Sequence, residues 1–347
     1  MNNEKILDIK NLHVSFKTYA GIVQAVRGVD FHLNKGETLA VVGESGCGKT
    51  VTAKAIMGLL PKEQAIISGD GAKVDFCGEN LLEFSEEKMS KIRGKKISMI
   101  FQDPMTSLNP TMKIGNQIAE SIIIHENKSK QEAKEEALKM LKLVNIPNAE
   151  ERIEQYPFEF SGGMRQRAMI AIALACNPEI LIADEPTTAL DVTIQAQIMD
   201  LIGRLQKEMN TGVILVTHDL GVVASVADRI QVMYAGVIVE RGTTDEIFYN
   251  PKHPYTWALL KSVPKLSDHK QEALYSLTGT PPDLINPPKG CPFAARCEYA
   301  MKICNVRPPE VTKIGDTHEF SCWLHHEKAD TSGVPERLLK RGDINGK

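Results

Sequence analysis

Short apolar, β-branched runs recur along the chain, each closed by residues that end a strand. Thr38-Leu39-Ala40-Val41-Val42 stops at Gly43, Ile180-Leu181-Ile182-Ala183 at Asp184-Glu185, and Val213-Ile214-Leu215-Val216-Thr217 at His218-Asp219. Runs of this length with sharp ends predict buried strands. Elsewhere the period becomes helical. Val51 to Leu60 carries apolar residues at helical spacing up to Pro61, and Ala168 to Cys176 continues a helix opened by Ser161-Gly162-Gly163 and closed by Asn177-Pro178. Ser129 to Leu141 sets apolar positions on one face and mixed charge on the other. The predicted fold class is α/β: strands and turns to about residue 102, a helical insertion over about 103–176, then α/β character again after His218. Val237 to Gly242 reads as an edge strand and Thr243 to Phe248 as a capped short helix.

Beyond about Asn250 the periodicity fades. Pro251, Pro254, Pro264, Pro281, Pro282, Pro287, Pro288, Pro292, Pro308 and Pro309 crowd the segment, which reads as a loop-rich extension over 251–347 appended to a domain over 1–250. From about Lys328 the chain is polar and reads as frayed.

Composition narrows the function. At 347 residues and 42% hydrophobic content, one or two domains with a sizeable core are expected. A formal net charge of −3 and a pI near 6.3 argue against a nucleic-acid partner. Met1 to Lys5 leads directly into a strand-like segment, so no signal peptide is expected. The longest apolar run, Ala168 to Cys176, falls short of the roughly 18 residues that a membrane-spanning helix needs. Glu44 and Glu79 read as solvated surface carboxylates.

Three segments carry the chemistry. Gly43-Glu44-Ser45-Gly46-Cys47-Gly48-Lys49-Thr50 fits the P-loop pattern, and strand, Gly-rich loop and helix stand in the required order. Its backbone N–H groups and the helix N-terminus suit phosphate, Lys49 suits the β- and γ-phosphates, and the Thr50 hydroxyl suits Mg²⁺. Asp184 and Glu185 end a buried strand where open α/β sheets place ligands; Asp184 suits the Mg²⁺ shell, and Glu185 can orient or deprotonate a water. His218 ends a neighbouring strand. Ser161, Gly162 and Gly163 leave free N–H donors at a helix start, a second phosphate clamp.

Together these segments resemble the nucleotide-binding subunit of an ATP-binding cassette (ABC) transporter over roughly 6–250. The resemblance implies a P-loop cassette with a RecA-like core, an antiparallel β subdomain and an inserted helical subdomain. It assigns Gln102 as the glutamine at the active site and on Mg²⁺, His218 as the switch histidine, Ala189-Leu190-Asp191 as the dimer-contacting loop, and Tyr19, in competition with Phe16, as the aromatic that stacks on adenine. In the family, the Ser-Gly-Gly segment of one subunit closes on ATP held by another. Here Phe160-Ser161-Gly162-Gly163-Met164 has methionine where glutamine is usual, and the backbone donors survive. Soluble ABC ATPases of translation or DNA repair typically carry two cassettes or long coiled coils; this chain has one cassette and no sustained heptads. A regulatory module without turnover is disfavoured by the presence of Glu185 and His218.

The extension sharpens the resemblance. Pro251-Lys252-His253-Pro254-Tyr255-Thr256-Trp257-Ala258-Leu259-Leu260 and Gly290-Cys291-Pro292-Phe293-Ala294-Ala295-Arg296-Cys297 resemble the C-terminal region of ATPase subunits from bacterial dipeptide and oligopeptide importers, a match then spanning roughly 6–323. This implies two membrane permease subunits, a second related ATPase, a peptide supplied by an extracytoplasmic binding protein, and a place on the cytoplasmic face of the membrane. A permease loop is expected near Gln102 and Pro104 to Pro110, with Met105 and Leu108 as contact residues. Nickel importers share these features.

Of seven cysteines, Cys47, Cys77 and Cys176 are scattered through the cassette as small buried residues, while Cys291, Cys297, Cys304 and Cys322 cluster in the extension, where no extensive core is expected. A reducing compartment disfavours disulfides. The spacing C-x5-C-x6-C-x17-C lacks the close pairs usual for structural zinc. Some peptide-importer ATPases carry an iron–sulfur cluster here, and the resemblance implies a [4Fe-4S] cluster on these four residues, with Zn²⁺ and free thiols as alternatives. The cluster is expected to stand apart from the ATPase site.

Overall fold

The computed structural model describes residues 4–188, 190–262 and 277–339. Its centre is an eight-stranded sheet. Five strands run parallel in the order Arg229–Tyr234, Thr38–Val42, Gly212–Thr217, Ile180–Asp184 and Ile97–Ile100. Both faces are buried, and strand alternation divides the side chains between two cores. Ala40, Val42, Leu181, Ala183, Val213 and Leu215 face the core shared with the helical segments. Leu39, Val41, Ile180, Ile182, Ile214 and Val216 face the other, which is closed by the helix Lys49–Ile56 and an antiparallel sheet. That second sheet pairs the long strands Lys5–Thr18 and Gly21–Asn34 with shorter ones over 65–80.

The helical insertion forms as its pattern predicts. Ser129 caps Lys130–Leu143 with a capping box through Glu132, and Ala133, Ala137 and Leu141 are its buried stripe. Gly162–Leu174 packs into the same core, with the Ser161 side chain as its N-cap. Among the described residues no helix is long and apolar enough to cross a membrane.

The extension departs from its sequence reading. Val237–Thr243 is not an edge strand: the extension supplies His318–Phe320 beside it and Thr312–Ile314 beyond. Nor is the extension without a core. Tyr255, Phe293, Phe320 and Leu324 are buried, and Tyr234, Tyr255 and Phe293 pack as an aromatic trio with centroids 4.6–5.3 Å apart. The segment after Lys328 holds a short helix, Glu336–Leu339; Leu338 is buried and Arg337 donates to the carbonyls of Tyr249 and Phe248. A sequence scan misses this core because its partners are supplied by the cassette.

One buried carboxylate secures the join. Glu240 accepts from the backbone N–H groups of Lys252 (2.6 Å) and His253 (2.9 Å), and its Oε1 lies 2.8 Å from His318 Nε2. Both partners of the Glu240–His318 contact are essentially inaccessible. Glu240→Ala would leave buried donors unpaired, so it should cost about 3–5 kcal/mol in chemical denaturation and expose the extension to proteolysis first. Glu240→Gln, which keeps an acceptor, should cost less.

Candidate active site

Parallel register brings three strand ends to one edge of the sheet. Val42 stands beside Thr217, and Asp184 beside Val216, so Gly43, Glu185 and His218 all begin at the same height. The loop from Gly43 to Gly48 then turns tightly. Gly43, Gly46 and Gly48 take φ of 156°, 77° and 105°. A Cβ on Gly48 would sit 2.4 Å from the Ala25 carbonyl, which explains why only glycine fits there. Ser45 and Gly46 are exposed at the crest, while the Cys47 side chain is buried beneath.

Lys49 points back across the loop, donating to the carbonyls of Gly43 (2.8 Å) and Glu44 (3.0 Å), with Glu185 Oε1 at 4.0 Å. Thr50 Oγ1 donates to Asp184 Oδ1 at 2.8 Å. Asp184 is buried, and burial raises its pKa against the opposing effect of the Thr50 hydrogen bond. A buried carboxylate and a hydroxyl joined in this way form an oxygen set suited to a hard divalent cation such as Mg²⁺.

Glu185 is the meeting point. It leaves the strand in a left-handed conformation, φ 46°, an uncommon geometry for a residue with a side chain. Its carboxylate accepts from Gln102 Nε2 (3.0 Å) and Thr188 Oγ1 (3.0 Å), and His218 Nδ1 lies 3.3 Å from Oε1. Lys49, Thr50, Gln102, Asp184, Glu185 and His218 therefore form one connected constellation. Thr188 has no sequence motif of its own and was missed.

The other expected residues lie apart from this network. Tyr19 is fully exposed on the turn between the two long strands, whereas Phe16 packs against the core. Ser161 Oγ accepts from the Met164 N–H at 3.4 Å, and among the described residues no hydrogen bond or ion pair joins Ser161, Gly162 or Gly163 to the P-loop. A Cβ on Gly163 would meet Ile194 at 3.0 Å. Asp191 caps the helix Val192–Met209, and Ala189 of the segment expected to contact a dimer partner falls outside the described residues. Leu108 is buried and Met105 exposed, so of the two only Met105 presents a contact surface.

Glu44 is not a solvated surface carboxylate. Arg296 of the extension holds it through both oxygens, and its N–H donates to Tyr255 Oη at 2.8 Å. Arg296 immediately precedes Cys297, so the cysteine segment does not stand apart from the ATPase site. Two contacts separated by more than two hundred residues left no local pattern to read.

Around the four cysteines, Cys291 N–H donates to the Cys304 carbonyl at 2.7 Å, an approach that Gly290 permits, because a Cβ there would sit 2.1 Å from the same oxygen. All four thiols are unpaired; Cys291 and Cys304 are buried, Cys297 and Cys322 half-buried. Burial pushes the Cys291 thiol up to about 11 and Cys297 to about 12, and Cys322 also rises, chiefly by burial and further because Cys291, Cys297 and Cys304 lie within electrostatic reach. Among the described residues no group of three or more His, Cys, Asp or Glu is placed to hold a metal ion.

A P-loop, a buried aspartate on its threonine and a glutamate held by glutamine and histidine define a nucleoside triphosphatase. Comparison with known proteins specifies which. Residues 26–188 match the family described as ABC transporter, and residues 239–304 match the C-terminal region of oligopeptide/dipeptide transporters. The chain is 58% identical over 334 residues to the oligopeptide transport ATP-binding protein OppD of Bacillus subtilis, covering 96% of this chain and 93% of that one. To the dipeptide transport ATP-binding protein DppD of the same organism it is 57% identical, covering 94% and 97%. A dimeric ATP-binding cassette solved in a post-hydrolysis state with ADP and Pi superposes with a TM-score of 0.61 at 28% identity, covering 69% of this chain and 98% of that one. The chain belongs to the ABC transporter family, in its group of oligopeptide and dipeptide transport ATP-binding proteins. It is an ABC ATPase, binding ATP with Mg²⁺.

Gly48→Ala and Gly46→Ala separate space from conformation. Both sites have positive φ, which costs about 1–2 kcal/mol for a residue with a side chain. Only Gly48 also faces backbone, whereas Gly46 has open space. Gly48→Ala should lower the melting temperature clearly more than Gly46→Ala.

Proposed function

We propose that the chain powers import of di- and oligopeptides. It would sit on the cytoplasmic face of the membrane beneath two permease subunits, paired with a second, related ATPase, while an extracytoplasmic binding protein supplies the peptide. The observation that carries this reading is similarity through cassette and extension alike to proteins named for oligopeptide and dipeptide transport. Those names favour peptide over nickel as cargo.

Within the site, Lys49 exchanges its loop carbonyls for the β- and γ-phosphates, and the glycine-shaped loop turns its N–H groups on them. Thr50 and Asp184 would hold Mg²⁺, which would supply charge neutralisation. Glu185 orients the attacking water and takes up its proton, while Gln102 and His218 keep the carboxylate aimed. Tyr19, free of the core, stacks on adenine. Ser161, Gly162 and Gly163 serve a nucleotide on the partner ATPase, a role supported by their separation from this chain's own constellation. Met105 meets a permease loop. Glu185→Gln should lower ATP turnover by about 10²–10⁴-fold while nucleotide binding persists, and Lys49→Ala should weaken binding itself. Full turnover in Glu185→Gln would remove the glutamate from this role.

Cys291, Cys297, Cys304 and Cys322 would hold a [4Fe-4S] cluster, with Zn²⁺ as the alternative. The support is chemical: four free cysteines fall within one segment of the extension, where burial disfavours their thiolates unless a cation holds them. Protein purified anaerobically should be brown, with broad absorbance near about 400 nm and about four irons per chain. Colourless protein with one zinc and no iron after anaerobic reconstitution would exclude the cluster.

A further inference from the structure

Glu44 lies within the P-loop, directly after Gly43, yet its polar groups are engaged by protein partners. Arg296 Nη1 and Nη2 reach its two carboxylate oxygens at 2.5 and 2.9 Å. The arginine side chain is only 4% exposed. It is aimed by three further contacts: Nη1 on Tyr234 Oη at 3.2 Å, Nε on the Thr278 carbonyl at 3.0 Å, and Nη2 on the Leu277 carbonyl at 3.4 Å. The Glu44 N–H is held by Tyr255 Oη, and its carbonyl receives Lys49 Nζ.

A carboxylate on a loop that must wrap a triphosphate is an electrostatic liability, because like charges at short range repel strongly where water is excluded. A bidentate guanidinium removes that charge and fixes the direction of the carboxylate together. Anchorage alone would not require an ion pair, since Tyr255 already grips the backbone at the same residue. We propose that Arg296 is a positioning residue for ATP binding: it neutralises Glu44 and pins the first turn of the P-loop, so that the loop offers the phosphates N–H donors and no opposing charge. Arg296 ends the short turn Ala294–Arg296 between Cys291 and Cys297. Whatever orders that cysteine segment therefore also orders the nucleotide site.

The inference rests on the P-loop being the ATP site, which binding of Mg²⁺-ATP to the wild-type chain checks separately. Affinities for ATP and ADP would be measured by calorimetry on the full chain, with thermal melting of each variant. R296Q should weaken ATP binding about 30-fold, near the lower end of what removing one partner of a hydrogen-bonded charge pair costs, because Glu44 is only part-buried. ADP, with less charge, should be affected less, and KM for ATP should rise by a larger factor than kcat falls. R296K should recover part of the affinity. Adding E44Q to R296Q should restore most of the loss, because no charge is left to neutralise. ATP affinity in R296Q equal to wild type would overturn the proposal. So would equal weakness of R296Q and the double variant, which would make Arg296 a structural prop only. If R296Q does not fold, the E44Q/R296Q variant decides: ATP affinity near that of R296K or better supports neutralisation, and affinity below R296K overturns it.

Discussion

The hydrogen-bonded register of the parallel strands, Val42 beside Thr217 and Val216 beside Asp184, is the constraint on which the site depends. A slip of one residue would invert every side chain between the two cores, and both cores are filled. The register is thus enforced by apolar packing over the whole sheet. Its by-product is that a lysine-bearing loop, two carboxylates and an imidazole arrive together at one edge. None of these polar groups needs to find the others; the apolar strands deliver them.

What the strands deliver is a concentration of charge that the fold must then balance. Asp184 is buried and its carboxylate form is disfavoured by that burial, while the adjacent Glu185 adds a second negative charge. Thr50 and the nearby Lys49 offset this in part. The left-handed turn at Glu185 separates the two carboxylates at once, sending one to the threonine and the other to Gln102, Thr188 and His218. Adjacent acidic residues can hold different partners because the backbone reverses between them.

How much of this could be read from the sequence follows from how local each feature is. The three core strands, the P-loop and the helix that Ser129 caps are specified within a few residues by apolar period, glycine and capping chemistry. The P-loop and its Asp-Glu and His strand ends were legible for the same reason. Three features were not. Val237–Thr243 looks like an edge because its neighbour His318–Phe320 is a three-residue strand with no pattern of its own. Thr188 has no signature beyond its place three residues after Glu185. Glu44 looks solvated because Arg296 lies 252 residues away and among prolines. Local chemistry announces itself; a partner far along the chain does not.

The extension shows why such long-range contacts accumulate around a few charged side chains. A Pro-rich segment cannot form long ladders, so its backbone donors must be met by side chains of the body it covers. Glu240 does this at one end, binding two successive N–H groups after Pro251, and Arg296 reverses the relation at the other, reaching three carbonyl or hydroxyl oxygens besides Glu44. Leu284 adds its carbonyl to the Gln24 N–H at 2.8 Å, and Ile285 lies against Gly21, so the same segment also braces the hairpin that carries Tyr19. These contacts fall on the P-loop and on the hairpin beside it. A segment with little regular structure of its own is thereby held against the P-loop and the hairpin by a few polar contacts.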